Sequence, residues 1–99
     1  MTVEELTDLF DDINDESPWP KFEDIENPRH PRPDMHAMLL LHELVPGTMD
    51  MVSAAEHDQI FFDVSLEALA PVITEEQVRE LVACGVHTDE YGEGLSSFV

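Results

Sequence analysis

Positive charge is what this chain most lacks. Four Lys and Arg residues stand against 23 Asp and Glu, a formal net charge of -19 over 99 residues. That imbalance argues against direct binding to DNA, RNA or an anionic membrane, each of which is itself a polyanion. It also destabilises any compact state through self-repulsion. A basic protein surface or a cation is the natural partner, although acid that simply keeps a protein soluble is the commoner explanation of such a composition. Cysteine is nearly absent too: Cys84 stands alone, which excludes an internal disulfide and any zinc finger built on paired cysteines. No His or basic residue sits immediately beside it to activate a thiolate, so it reads as a small buried apolar residue at a helix end, in an intracellular setting. Long apolar runs are missing as well. The longest, Ala37 to Leu41, falls far short of the ~20 residues that span a bilayer, and Met1 is followed by acidic residues where a secretory leader would be basic and then apolar. The few glycines form neither a phosphate-cradling loop nor a dinucleotide fingerprint.

The residues that are present describe one small domain, 1–99, with an acidic helix at 2–14, a proline-rich strap at 17–33 and a core at 34–99. Two capping boxes mark helix starts, Thr2-Val3-Glu4-Glu5 and Thr74-Glu75-Glu76-Gln77. After the first, Val3, Leu6, Leu9, Phe10 and Ile13 follow at helical spacing, with Glu4, Glu5, Asp8, Asp11, Asp12 and Asp15 opposite. After the second, Val78, Leu81 and Val82 share a face until Gly85 supplies a left-handed stop. Between 17 and 33, five prolines forbid a continuous helix, while Trp19 and Phe22 give the segment something to pack across a core. Arg29, His30 and Arg32 form the one basic spot, read as counter-charge to the acidic helix.

Asp34 is placed as the cap of a helix carrying Met35, Met38, Leu39, Leu41, Leu44 and Val45, with a strand over Ala37 to Leu41 as the live alternative. Met49 to Ala55 and Gln59 to Val64 read as a hairpin turning at Glu56-His57-Asp58. In its second strand Ile60, Phe62 and Val64 share a face, and Phe61, on the other, needs a cover such as Trp19. Ser65 caps a short turn to Ala70, and Val86 to Thr88 with Leu95 to Val99 close the chain as a hairpin. The crossover through the two helical pieces can return a strand parallel to Gln59 to Val64. The fold class is therefore α+β: a small mixed or antiparallel sheet with helices mainly on one face.

Chemistry is hard to find in these patterns. His30, His36 and His42 lie six apart, which turns the last two away from each other on a helix. Glu56-His57-Asp58 could ligate a metal only if the fold brought His87 or Asp89 alongside, and Asp89-Glu90-Tyr91-Gly92-Glu93-Gly94 lacks the ligand alternation of an EF-hand. No serine sits in a glycine elbow. The expectation is no catalytic residue, no metal and no cofactor, with a metal-dependent or carboxylate enzyme using His57, Asp58 and His87 as one alternative. A structural or regulatory oligomer joined through the Met-rich segment Met35 to Met51 is another.

Asp34-Met35-His36-Ala37, the run Met49-Asp50-Met51-Val52-Ser53-Ala54-Ala55-Glu56-His57-Asp58-Gln59-Ile60, Cys84-Gly85-Val86 and the terminal Leu95-Ser96-Ser97-Phe98-Val99 resemble small uncharacterised proteins of bacterial phages and prophages. The resemblance carries no functional residues over. It implies a bacterial cytoplasm and a mobile-element setting, in which small acidic proteins are often inhibitors of host defence, among them anti-CRISPR proteins and DNA mimics. The acidic helix and the strap lie outside the resembling region. Together these readings lead to an expectation of a non-enzymatic inhibitor. Its surface, centred on Asp8, Asp11, Asp12, Asp15, Glu16, Trp19, Glu23, Asp24 and Glu26, occupies a basic nucleic-acid-binding surface of a host defence protein, without touching nucleic acid or membrane itself.

Overall fold

The computed structural model describes residues 1–46, 52–56, 59–88 and 94–98, with the backbone alone described for 52–56 and Phe98. Both capping boxes form. Thr2 Oγ1 accepts the Glu5 N–H at 3.1 Å while Glu5 Oε1 accepts the Thr2 N–H at 2.8 Å, and helix α1 runs over Val3–Asn14. The same exchange between Thr74 and Gln77 starts a helix over Glu75–Ala83. Two donors at each helix start are thereby satisfied without water.

Helix α2 spans Pro33–Leu44, so helix wins over strand in this segment. Asp34, however, is not its cap. Pro33 takes the first helical position, where its missing N–H is no loss and its fixed φ suits the helix. Arg32 becomes the cap residue without a side-chain bond, and Asp34 sits in the first turn, its Oδ1 accepting the Met35 N–H at 2.9 Å. A short helix α3, Leu66–Leu69, follows Ser65, whose hydroxyl makes no capping bond, and the 75–83 helix is α4.

Four strands form one sheet: β1 Val52–Glu56, β2 Gln59–Phe62, β3 Val86–Thr88 and β4 Leu95–Phe98, in the order β1-β2-β4-β3 with every pairing antiparallel. The crossover does return β3 in the direction of β2, but the two are not neighbours, so the sheet is antiparallel and not mixed. A closing hairpin must lie side by side, and β4 uses its second edge to pair with β2, which separates β2 from β3. In the first hairpin, β1 begins at Val52 and keeps Glu56, which pairs with Gln59. Met49 to Met51, His57 and Asp58 lie outside the described residues. β2 ends at Phe62, two residues earlier than expected, yet Val64 is still buried.

The register explains which side chains meet. Phe62 opposes Leu95, and Ile60 and Val86 both oppose Ser97, so these residues share one face of the sheet. That face joins Leu6, Phe10 and Ile13 of α1, Leu40 and Leu41 of α2, and Val78, Leu81 and Val82 of α4 in a single buried core. Helix α1 packs against α4 and β3, and α2 against α4. Trp19 does not cover Phe61. It stands on the helical side of the sheet, its Nε1 donating to Asn14 Oδ1 at 3.4 Å, whereas Phe61 belongs to the opposite face.

Helix α4 ends at Cys84 and the chain reverses through Gly85, whose φ is +88°. A Cβ built there would meet Ser97 Oγ at 3.6 Å, an ordinary contact, so space is not what selects glycine. Gly85→Ala is therefore expected to lose about 1 kcal/mol through backbone strain alone. Gly85→Asn, which tolerates positive φ better, should lose less. Urea denaturation of the two variants checks the order, and equal losses would point to crowding instead.

Candidate functional site

The strap between α1 and α2 has no regular repeat to hold it, so its position rests on side chains. Residues Phe22–Asp24 form a single 3-10 turn, and Phe22 and Ile25 are half-buried against the core. Of the two aromatics expected to pack across the core, Phe22 does so and Trp19 does not, standing 43% exposed. Phe22 sets its ring edge against His36, centroid to centroid 5.9 Å and 70° between planes. His36 is fully buried beneath it. Its Nδ1 accepts the Arg29 N–H at 3.0 Å, which leaves the ring proton on Nε2 in the neutral form. That nitrogen lies 3.2 Å from Glu80 Oε1 without the geometry of a hydrogen bond.

Three ion pairs fasten the strap. Arg79 of α4 grips Glu16 with two hydrogen bonds of 2.6 and 2.9 Å, Arg29 reaches Glu43 of α2 at 2.8 Å, and Arg32 makes two to Asp34 at 3.0 and 3.2 Å. Arg29 and Arg32 are counter-charges, then, but to α2 and not to the acidic helix. Glu16 is the acidic end's own link to a cation, and it lies in the tertiary structure, 63 residues from its partner.

Between strap and α4 lies a cleft of about 750 Å³. Trp19, Lys21, Asp24 and Glu26 wall it on one side, with Glu76, Arg79 and Glu80 on the other. The expected partner-binding residues divide accordingly. Asp8, Asp11, Asp12 and Asp15 form one exposed stripe on the outer face of α1 and make no ion pair among the described residues. Trp19, Asp24 and Glu26 belong to the cleft, Glu23 is exposed in the 3-10 turn, and Glu16 joins the two regions through Arg79. Sequence reasoning missed the α4 wall, Glu76, Arg79 and Glu80, because those residues looked like an ordinary solvent face. Arg79 carried one usable signal: it is the only Lys or Arg after Arg32, so a carboxylate was bound to seek it.

Other chemistry can be weighed residue by residue. His57, Asp58 and Asp89 of the metal alternative lie outside the described residues, and among the described residues no three His, Cys, Asp or Glu side chains group to hold a metal. His87 Nδ1 donates to the Thr88 carbonyl at 2.9 Å, and Ser96 Oγ lies 3.3 Å from the same nitrogen. Because a carbonyl only accepts, that nitrogen carries its proton and cannot act as base to the hydroxyl, and Ser96 is fully buried besides. Cys84 is pushed up to about 12 by burial, then by Glu80 and Asp34 nearby. No described helix is long and apolar enough to cross a membrane.

Two outcomes follow from these environments. The folded protein is expected to resist iodoacetamide at pH 8 and to alkylate at Cys84 only once unfolded; mass spectrometry across a urea series reads this. Arg79's hydrogen bonds hold the Glu16 carboxyl below its ordinary 4.5. A carboxyl depressed in the folded state stabilises above its ordinary pKa and loses that stabilisation as pH falls through the depressed one. The urea midpoint of wild type should therefore exceed that of Glu16→Gln near neutrality, with the gap closing below pH 4.5. The gap is the readout, because relief of repulsion among the other carboxylates in acid is common to both proteins.

No family model, curated protein or solved structure matches the chain.

Proposed function

We propose that this chain is a non-enzymatic inhibitor of the phage or mobile-element type, whose acidic surface covers a basic nucleic-acid-binding surface on a host defence protein. The observation that carries the reading is the α1 stripe: Asp8, Asp11, Asp12 and Asp15 are exposed, on one face, and without cation partners among the described residues. At 1.5 Å rise per residue these four carboxylates average about 3.5 Å per charge along the helix axis, in unequal steps of three, one and three residues. Phosphates along one DNA strand recur at about 3.4 Å of axis. Lys and Arg side chains that track a phosphate backbone respond to such an array, and Arg can clasp a carboxylate with two hydrogen bonds.

A purely solubilising role fits less well with where the acids stand. Asp11, Asp12 and Asp15 crowd the C-terminal end of α1, where the helix dipole disfavours negative charge and where no basic residue offsets them. Solubility could be had from any exposed position. The bacterial phage and prophage resemblance from Asp34 onward supports the setting, and the acidic α1 would be the recognition element mounted on it.

The test is capture from bacterial lysate with mass spectrometry, comparing wild type with the triple variant Asp11→Lys, Asp12→Lys, Asp15→Lys. Wild type is expected to retain a nucleic-acid-binding protein, to lose about tenfold or more in affinity as salt rises from low to moderate concentration, and to be displaced by the partner's own nucleic acid. Equal retention of that partner by the charge-reversed variant would sink the reading.

A further inference from the structure

The stripe on α1 is not the only acidic feature, and the cleft beside it is chemically different. Four acidic residues, Asp24, Glu26, Glu76 and Glu80, line a concave space together with Trp19. Of the two cations in its wall, Arg79 is neutralised by Glu16, leaving Lys21 alone against four acids. An anionic ligand is therefore disfavoured. Trp19 is 43% exposed, an unusual state for the largest side chain, and its indole lines the cleft. Glu76 and Glu80 lie one helical turn apart on α4, and Glu80 is backed by the buried His36 ring at 3.2 Å.

We propose that this cleft is a slot for an arginine side chain of the protein partner. The inference rests on the reading of the chain as a binder of basic protein surfaces and names the residue type it grips. A guanidinium satisfies both features of the slot: its plane stacks on an indole, and its fork of N–H donors matches carboxylates bidentately. A lysine ammonium, compact and strongly hydrated, exploits only the charge. The volume, about 750 Å³, lies within the range that holds a drug-sized ligand and so admits the arginine together with its flanking backbone. The α1 stripe then contributes long-range attraction, and the slot contributes a short-range anchor.

Trp19 is the only tryptophan, so its fluorescence reports on the slot directly. Blocked tri-arginine and tri-lysine peptides are titrated into the full chain at moderate salt. The arginine peptide is expected to change Trp19 emission saturably and to bind at least about fivefold tighter than the lysine peptide. Asp24→Asn with Glu76→Gln should weaken it about tenfold, Lys21→Gln should tighten it, and the charge-matched double variant Asp63→Asn, Glu67→Gln, on exposed residues away from the cleft, should leave it unchanged. Equal affinities for the two peptides on wild type, a comparison that needs no variant to fold, would overturn the slot. So would an equal loss in the cleft and control variants, each verified as folded by circular dichroism. If the slot fails while charge reversal on α1 still abolishes partner capture, only this inference falls; if capture survives that reversal, the broader reading falls whatever the peptides do.

Discussion

Four positive charges have to serve a chain with 23 acidic residues, and the architecture depends on where they are used. Three of them stand as ion pairs at the two ends of the strap: Arg79 to Glu16 where α1 gives way to it, and Arg29 to Glu43 and Arg32 to Asp34 where it enters α2. Exposed pairs of this kind contribute on the order of 0–1 kcal/mol each, so they are not what keeps the domain folded. Burial of Phe10, Leu40, Leu81 and their neighbours does that, at roughly 1.5–3 kcal/mol for each large side chain. What the ion pairs decide is the path of a segment that has no hydrogen-bond ladder of its own.

The strap's path in turn creates the cleft. Phe22 and Ile25 anchor its inner side, the Arg29 backbone N–H is drawn onto His36, and Trp19 is left outward, facing the polar side of α4. Had the strap collapsed fully onto α4, Trp19 would be buried and Glu76 and Glu80 covered. His36 links the layers: it touches the strap through Nδ1, Phe22 through its ring, and Glu80 through Nε2. A single buried imidazole thus lies in contact with the strap and with one acidic residue of the cleft.

The acidic surface consequently has two textures. On α1 the carboxylates are convex and solvated, at intervals of three, one and three residues along one face. In the cleft the acidic residues line a concave space beside Trp19. A field of the first kind raises encounter rate and is weakened by salt, whereas a pocket of the second kind governs how long a partner stays. The two lie next to each other because Glu16, two residues beyond the end of α1, is the residue Arg79 holds against α4.

Local interactions made much of the framework readable in advance. Both capping boxes, the apolar faces of α1 and α4, the Gly85 stop and the two hairpins follow from residues within a few positions of one another, where backbone donors and side-chain periodicity act directly. The start of α2 was misplaced by a rival local effect, Pro33 outcompeting Asp34 for control of the helix end. Sheet order, the partners of Arg29 and Arg32, the side of the sheet on which Trp19 stands and the α4 wall of the cleft were not readable, since each joins residues far apart in the chain. The amino-acid sequence by itself determined the charge imbalance, the α+β elements and the acidic face of α1, because composition and period are local properties. Only the tertiary structure decided that Glu16 meets Arg79 and that Trp19 shares one cleft with four acidic residues, because long-range packing alone selects which solvent faces are brought together.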